Sequence, residues 1–371
     1  MIIGVPKEIK NHEYRVGLTP ASAKELITHG HQVVLETNAG FGIGISDRDY
    51  IAAGASILPT AKEVFAQADM IIKVKEPLEK ERRMLRKGQI LFTYLHLAPD
   101  FPQTEALIKS KAICIAYETV TDYMGRLPLL APMSEVAGRM SVQAGAHILE
   151  KSQGGQGILL GGVPGVPPAN VLILGGGVVG SSAARIAIGM RANVTLIDSN
   201  IEVLRRLDQE FTGKVQLLFA TQETIEQQLC QADLVIGAVL IPGAQAPKLV
   251  TKEHLSIMKP RTVLVDVAID QGGCFATSHS TTHDAPTFIE QDIIHYCVAN
   301  MPGAVARTAT MALNNATLPY IIKIANLGYK QALLEDKGLM QGLNICEGHV
   351  TCQHVADSFG LPYVDAKSLF S

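Results

Sequence analysis

The stretch from Val171 to Asp198, VLILGGGVVGSSAARIAIGMRANVTLID, decides how this chain folds. Its first residues, Val171 to Leu174, form a short apolar run of the kind that makes a buried parallel strand. Gly175, Gly176 and Gly177 follow, then Val178, Val179 and Gly180. A helix rich in small residues is expected from Ser181 to about Met190. A second apolar strand, Asn193 to Ile197, ends in Asp198. Strand, tight turn, helix, strand and acidic residue, in that order and spacing, are the full context of a dinucleotide-binding G-x-G-x-x-G. Gly175 permits the sharp turn, Gly177 lets the backbone approach a pyrophosphate, and Gly180 lets the helix pack close to the strand. The helix N-terminus offers N–H groups and a partial positive charge to phosphates. Asp198 can accept hydrogen bonds from both hydroxyls of an adenosine ribose and would repel a 2′-phosphate. No Arg directly follows it, so NAD is expected rather than NADP.

Composition narrows the rest. A chain of 371 residues is long enough for two domains, each with a core of its own. With 47% hydrophobic and 18% charged residues it is globular. A net charge of −3 gives no general attraction to nucleic acid or anionic membrane. The six cysteines, Cys114, Cys230, Cys274, Cys297, Cys346 and Cys352, form no C-x-x-C pair. They read as reduced, mostly buried thiols of a cytoplasmic protein, with neither disulfide nor metal. The opening MIIGVPKEIK reads as a strand rather than a signal peptide. No apolar run approaches the roughly 20 residues of a membrane span.

Along the chain, strands and helices alternate. Strands are expected at Met1–Val5, Gln32–Glu36, Met70–Val74, Ile90–Leu95 and Ala112–Tyr117, which implies a parallel sheet covered on both faces. Thr19 as N-cap, Pro20 at the first helical position and Gly30 at the stop bracket the first helix. Ser134 reads as the N-cap of a long helix running to Lys151. A Gly/Pro-rich stretch, Gly154 to Pro168, leads into Val171. Later strands are expected at Val215–Phe219, Leu234–Ala238, Thr262–Ala268 and His295–Val298. After Met301 the chain looks helical, at Arg307–Leu327, Tyr329–Met340 and near His349–Phe359. The fold expected is α/β, with two doubly wound parallel-sheet domains joined by long helices. The first comprises 1–128 with 306–371, the second is a Rossmann domain of 129–305, and a cleft between them would hold the active site.

Ligands bind beyond the carboxyl ends of parallel strands. In the first domain that rule selects Arg15, Lys75 and His96. In the second it selects Asp198, the Ala220–Thr221 turn, Val239, Leu240, Asp270, Asn300 and Met301. A guanidinium grips a carboxylate with a bidentate fork, an ammonium adds a second positive charge, and an imidazole suits acid–base work at neutral pH. The set fits oxidation of a small 2-amino or 2-hydroxy acid. Each residue alone also has an ordinary reading: solvated loop charges for Arg15 and Lys75, a structural histidine for His96, a turn cap for Asp270. Their common placement past strand ends favours the functional one. His279, His283 and Asp284, near Cys274, lie in a Ser/Thr-rich stretch and read as a loop rather than a metal site.

These residues also carry a family resemblance. GVPKEIKNHEYRVGLTP, LFTYLHLA, APMSEVAGR, LLGGVPGV, VDVAIDQGGC and VANMPGAV resemble the alanine dehydrogenase and pyridine nucleotide transhydrogenase family over essentially the whole chain. The chain departs from it at Met190-Arg191-Ala192, where Leu-Gly-Ala is usual, and at Ala220, where Ser is common. The resemblance implies reversible conversion of L-alanine, NAD and water to pyruvate, ammonium and NADH. It implies Arg15 and Lys75 as substrate-binding residues and His96 and Asp270 as the acid–base pair. It implies NAD contacts from Ser134, Gly175, Gly177, Val178, Val179, Gly180, Asp198, Ala220, Val239, Leu240, Val267, Ala268, Ile269, Asp270, Val298, Ala299, Asn300 and Met301, and a homohexamer. The rival within the family is a transhydrogenase-type nucleotide-binding subunit. Leu130-Ala131-Pro132-Met133-Ser134 stands where that group is expected to carry an Arg-Ala-Gln-Ser-type loop. A saccharopine dehydrogenase would share the general architecture but make a larger product, and a non-catalytic NAD sensor, a different class, would bind NADH yet fail with every amino acid.

Overall fold

The structure is a computed structural model and describes residues 1–239 and 246–370. The chain forms two compact units, Met1–Met133 with Val305–Ser371, and Ser134–Ala304. No described helix is long and apolar enough to cross a membrane.

The first unit begins with β1 (Ile2–Val5), β2 (Gln32–Glu36), β3 (Ser56–Leu58), β4 (Met70–Ile72), β5 (Ile90–Thr93) and β6 (Ile113–Ala116). All six pair in parallel, in the order β6-β5-β4-β1-β2-β3. The interior strands β4, β5 and β6 are apolar and wholly buried, as strands covered on both faces must be. The strand β3, only three residues long, is an addition to the sequence reading. Thr19 caps the helix Pro20–Thr28 by accepting from Ser22 N, and Gly30 with φ 84° ends the turn beyond it.

The second unit holds β7 (Asn170–Leu174), β8 (Asn193–Asp198), β9 (Gln216–Phe219), β10 (Leu234–Gly237), β11 (Val263–Asp266), β12 (Thr287–Glu290) and β13 (Ile293–Tyr296). The sheet order is β12-β13-β11-β10-β7-β8-β9, parallel except for β12 at one edge. This is the doubly wound dinucleotide topology with one antiparallel edge strand. The helix Val178–Gly189 packs so closely on its turn that a Cβ on Gly180 would sit 1.8 Å from Gly175 O. The long helix runs from Ala131 to Ile148, so Ser134 lies within its first turn rather than at its cap. Pro132 explains the earlier start, because the first helical turn needs no N–H from proline.

The returning segment corrects a second expectation. The helix Ala306–Leu327 is present, and the next pair, Tyr329–Glu335 and Lys337–Gln341, breaks at Asp336, whose side chain caps the second of them. The stretch that follows is not all helix. It forms β14 (Leu343–Cys346) and β15 (His349–Val350) before the helix Gln353–Phe359. Glu347 and Gly348 both have positive φ, 49° and 95°, as a two-residue hairpin turn requires. The strand β14 adds antiparallel to β6, so the first sheet has eight strands and is mixed.

The helix Ala306–Leu327 also fixes the segment after β1. Asn314, buried, accepts from Thr19 N (2.7 Å) and donates to Gly17 O (3.2 Å), while Thr310 Oγ1 accepts from Val16 N (3.4 Å). Replacing Asn314 by Ala would orphan a buried N–H and a buried C=O. We expect Asn314→Ala to cost about 1–3 kcal/mol in equilibrium denaturation, and an unchanged midpoint would refute this account of the clamp.

Candidate active site

In the first unit the parallel strands end on one edge, and the sheet order reverses between β1 and β4. A crevice at such a reversal is where open α/β sheets bind ligands. The loops that leave β1, β4 and β5 carry Arg15, Lys75 and His96, and these three strands are neighbours in the sheet. The Arg15 segment lies tight against β4: a Cβ on Gly17 would fall 2.6 Å from Ile72 O.

Arg15 is 2% exposed. Its Nε donates to Glu13 Oε1 (2.7 Å) and Nη2 to Glu13 Oε2 (2.5 Å), with Nη1 3.1 Å from Met133 Sδ. Burial disfavours its charge, but the Glu13 hydrogen bonds and charge more than offset that, and its pKa rises. Lys75 is half-buried, and its ammonium makes no direct hydrogen bond or ion pair with the described residues. The neighbouring Glu76 carboxyl is held below its ordinary value: burial works against this, and Lys75 and Lys10 prevail.

His96 sits on a constrained turn. Its φ is 50°, in the left-handed region that an L residue adopts only when its surroundings impose it. The surroundings are specific. Glu118, past the end of β6, accepts from Leu95 N (3.2 Å) and His96 N (2.6 Å). Gln103 Nε2 donates to Leu95 O (2.6 Å), and Thr104 Oγ1 donates to Leu97 O (3.2 Å). The imidazole is exposed, stacks on Tyr94 at 5.9 Å, and places Nδ1 4.0 Å from Glu118 Oε1.

In the second unit the carboxyl ends of β7, β8, β9, β10, β11 and β13 share one edge, and the order reverses between β7 and β10. Gly175, φ 104°, makes the turn after β7. At Gly177 a Cβ would meet nothing within 4 Å, and this residue caps the helix without any side-chain bond. Space and N–H donors at one helix N-terminus suit a pyrophosphate. Val178 is exposed there, Val179 and Gly180 are buried. Asp198 ends β8, with Oδ2 accepting from Gly176 N (2.6 Å) and Oδ1 from Asn200 N (2.7 Å). Each oxygen keeps a second lone pair for a ribose hydroxyl. The chain's own residues therefore fit a dinucleotide.

Ala220 follows β9, with its N bonded to Asp198 O (3.0 Å), and Val239 follows β10. Leu240 lies outside the described residues. Past β11 come Val267, buried Ala268 and Ile269, and then Asp270, whose side chain is exposed on the short turn Ile269–Gln271. Past β13 come Val298, Ala299, Asn300 and Met301; Val298 and Met301 are buried, and Asn300 has φ 62°. Ser134 is half-buried in the first turn of its helix.

Sequence reasoning missed the groups that hold these loops. Asp266, buried at the end of β11, accepts from Ala268 N (3.2 Å), Cys274 N (2.9 Å), Phe275 N (3.3 Å) and Ser278 Oγ (2.6 Å). Burial raises its carboxyl pKa, and these donors work against the rise. Lys248 Nζ donates to the carbonyls of Gly272, Gly273 and Phe275. Asp270 thus rides a loop stapled from both sides. Glu8, Glu13, Lys73 and Glu118 have the same kind of role in the first unit. A lysine inside the apolar run MIIKVK, and a carboxylate two residues before Arg15, were the available signals. A recess of ≈ 540 Å³ lies at the opposite, amino-terminal edge of the second sheet, beside Asn170, Asn193 and Asp233, and none of the candidate residues lines it.

Known proteins resemble this chain over its whole length. Residues 4–137 match the model described as Alanine dehydrogenase/PNT, N-terminal domain, and residues 141–353 match Alanine dehydrogenase/PNT, C-terminal domain. An alanine dehydrogenase of Halomonas elongata is 56% identical over 369 residues, covering 100% of both chains. A solved L-alanine dehydrogenase superposes with a TM-score of 0.94 at 51% identity, over 97% of this chain and 99% of that one. A transhydrogenase from Sinorhizobium meliloti shares the fold, with a TM-score of 0.79 at 23% identity over 95% of this chain and 99% of that one. Two matched domains and half or more of the residues shared over the full length have one meaning: the chain belongs to the alanine dehydrogenase/PNT family.

Proposed function

We propose that this chain is an NAD-dependent L-alanine dehydrogenase, an oxidoreductase that interconverts L-alanine with pyruvate and ammonium. The supporting observation is the grouping of Arg15, Lys75 and His96 past three adjacent strand ends, in a chain whose full-length relatives bear that enzyme's name. The family resemblance further implies a homohexamer, and the cysteine usage suits a cytoplasmic setting.

NAD, when bound, supplies the hydride acceptor. The turn Gly175–Gly180 and the helix it opens would hold the phosphates, Asp198 the adenosine ribose, and Ser134, Ala220, Val239, Val267–Asp270 and Val298–Met301 the remainder. Arg15 holds the substrate carboxylate. Glu13 holds Nε and Nη2 of the Arg15 guanidinium in place. Lys75 adds the second cation. Arg15, buried and already paired with Glu13, costs little reorganisation at the moment of reaction. His96 receives the proton of the substrate nitrogen. Glu118, 4.0 Å from Nδ1, favours the tautomer with its proton on that atom and so presents Nε2 as the base. Asp270 or His96 activates the water that is added or expelled.

An assay that follows NADH absorbance should show consumption with pyruvate plus ammonium and production with L-alanine. Activity with a 2-hydroxy acid, with a second nucleotide, or with no substrate at all would overturn the assignment. His96→Ala should lose about 10²–10⁴ in kcat while its NADH affinity, read by fluorescence titration, stays unchanged. Full turnover in that variant would remove His96 from the chemistry. Arg15→Ala is the poorer test, because it would strand the buried Glu13 carboxylate. Arg15→Lys keeps the charge and loses the fork, so the KM for pyruvate should rise strongly; an unaltered KM would remove Arg15 from the site.

A further inference from the structure

Lys73 is a wholly buried lysine for which the chemistry above has no use. Its Nζ lies 2.9 Å from Glu8 Oε2 and 2.7 Å from Glu81 Oε1, and its side chain is 0% exposed. A buried ammonium persists only beside counter-charges. Burial works to lower its pKa, and the two carboxylates raise it overall. The other oxygen of Glu8 faces the main chain. Oε1 accepts from Val74 N at 2.7 Å and from Lys75 N at 3.4 Å. At that point the chain has already left β4, which ends at Ile72. The carboxylate therefore does for these two peptide groups what a neighbouring strand does for the residues before them. One ammonium fixes a carboxylate, and that carboxylate fixes the backbone from which Lys75 projects.

We propose that Glu8, locked by Lys73 and Glu81, is a positioning residue that sets the place from which the Lys75 ammonium meets the substrate carboxylate. This rests on the reading of Lys75 as a substrate-binding residue. Structural support alone would explain a buried ion pair. It would not predict that the effect of altering Glu8 passes through Lys75.

Glu8→Gln is the informative change. Lys73 keeps Glu81, so no charge is stranded. The amide offers one acceptor in place of two, so either Lys73 or the Val74–Lys75 backbone loses its partner whichever way the amide turns. The experiment is a double-mutant cycle with Lys75→Ala, reading the KM for pyruvate, kcat, and the NADH dissociation constant of the intact enzyme. Glu8→Gln should raise the KM about tenfold, the size of one lost charge-assisted hydrogen bond, with smaller change in kcat and none in NADH affinity. In the Lys75→Ala background it should add nothing further. An equal rise in that background would make Glu8 a general structural group and overturn the proposal. An unchanged KM in Glu8→Gln, with a raised KM in Lys75→Ala, would overturn the proposal and spare the reading of Lys75. An unchanged KM in Lys75→Ala would overturn that reading and the proposal with it. Should Glu8→Gln not fold, Glu8→Asp keeps the charge beside Lys73 and shortens the reach to the backbone. It should show the same KM split, and a wild-type KM would count against us.

Discussion

Parallel pairing is the constraint on which this molecule depends. Strands that all run the same way finish on the same edge, and the loops that leave them are brought together however far apart they lie in sequence. In the first unit this gathers the segments after β1, β4, β5 and β6, which carry Arg15, Lys75, His96 and Glu118. In the second it gathers the glycine turn, Asp198, Ala220, Val239, Asp270 and Asn300. Both sheets reverse their order beside their first strand, and that reversal opens the crevice into which the functional loops project.

Holding such loops still is a separate problem, because they lie beyond the reach of the sheet's own hydrogen bonds. The molecule solves it repeatedly with buried or half-buried carboxylates. Glu118 fixes the N–H groups of Leu95 and His96, Asp266 those of Ala268, Cys274 and Phe275, and Glu8 those of Val74 and Lys75. A carboxylate has four lone-pair directions and can hold several N–H groups at once. Backbone pinned this way tolerates conformations that would otherwise relax, such as the left-handed φ of 50° at His96.

Much of this was legible in the sequence. Largely apolar runs of four to seven residues located all the parallel strands but β3, because strands buried on both faces, as most of these are, have to be apolar. The glycine spacing and Asp198 marked the nucleotide half. The strand-end rule selected Arg15, Lys75 and His96 before any coordinates. What escaped has physical reasons. The strands β12 and β15 are sheet edges and β14 lies next to one; all three are two to four residues long and owe their existence to tertiary pairing rather than to local pattern. The start of the helix at Ala131 rested on a tolerated Pro132, and Ser134 is a good cap residue that happens to lie inside. Glu8, Lys73 and Asp266 could not be assigned because a charge in a sequence carries no mark of burial, nor Glu118 because none marks the backbone it holds. Only the pairing, 65 residues apart for Lys73 and Glu8, shows what they do.

The first unit is split in the chain, and this imposes an order on its assembly. Thr19 is held by Asn314, 295 residues further on. A ribosome delivers the whole of Ser134–Ala304 before it delivers Asn314. The nucleotide-binding half is therefore complete while the segment that carries Arg15 still lacks the helix that secures it. In a nascent chain the sheet edge that carries Arg15 is the last part to become whole, and a polypeptide truncated near residue 304 would retain the glycine turn and Asp198 but not the clamp on the Arg15 segment.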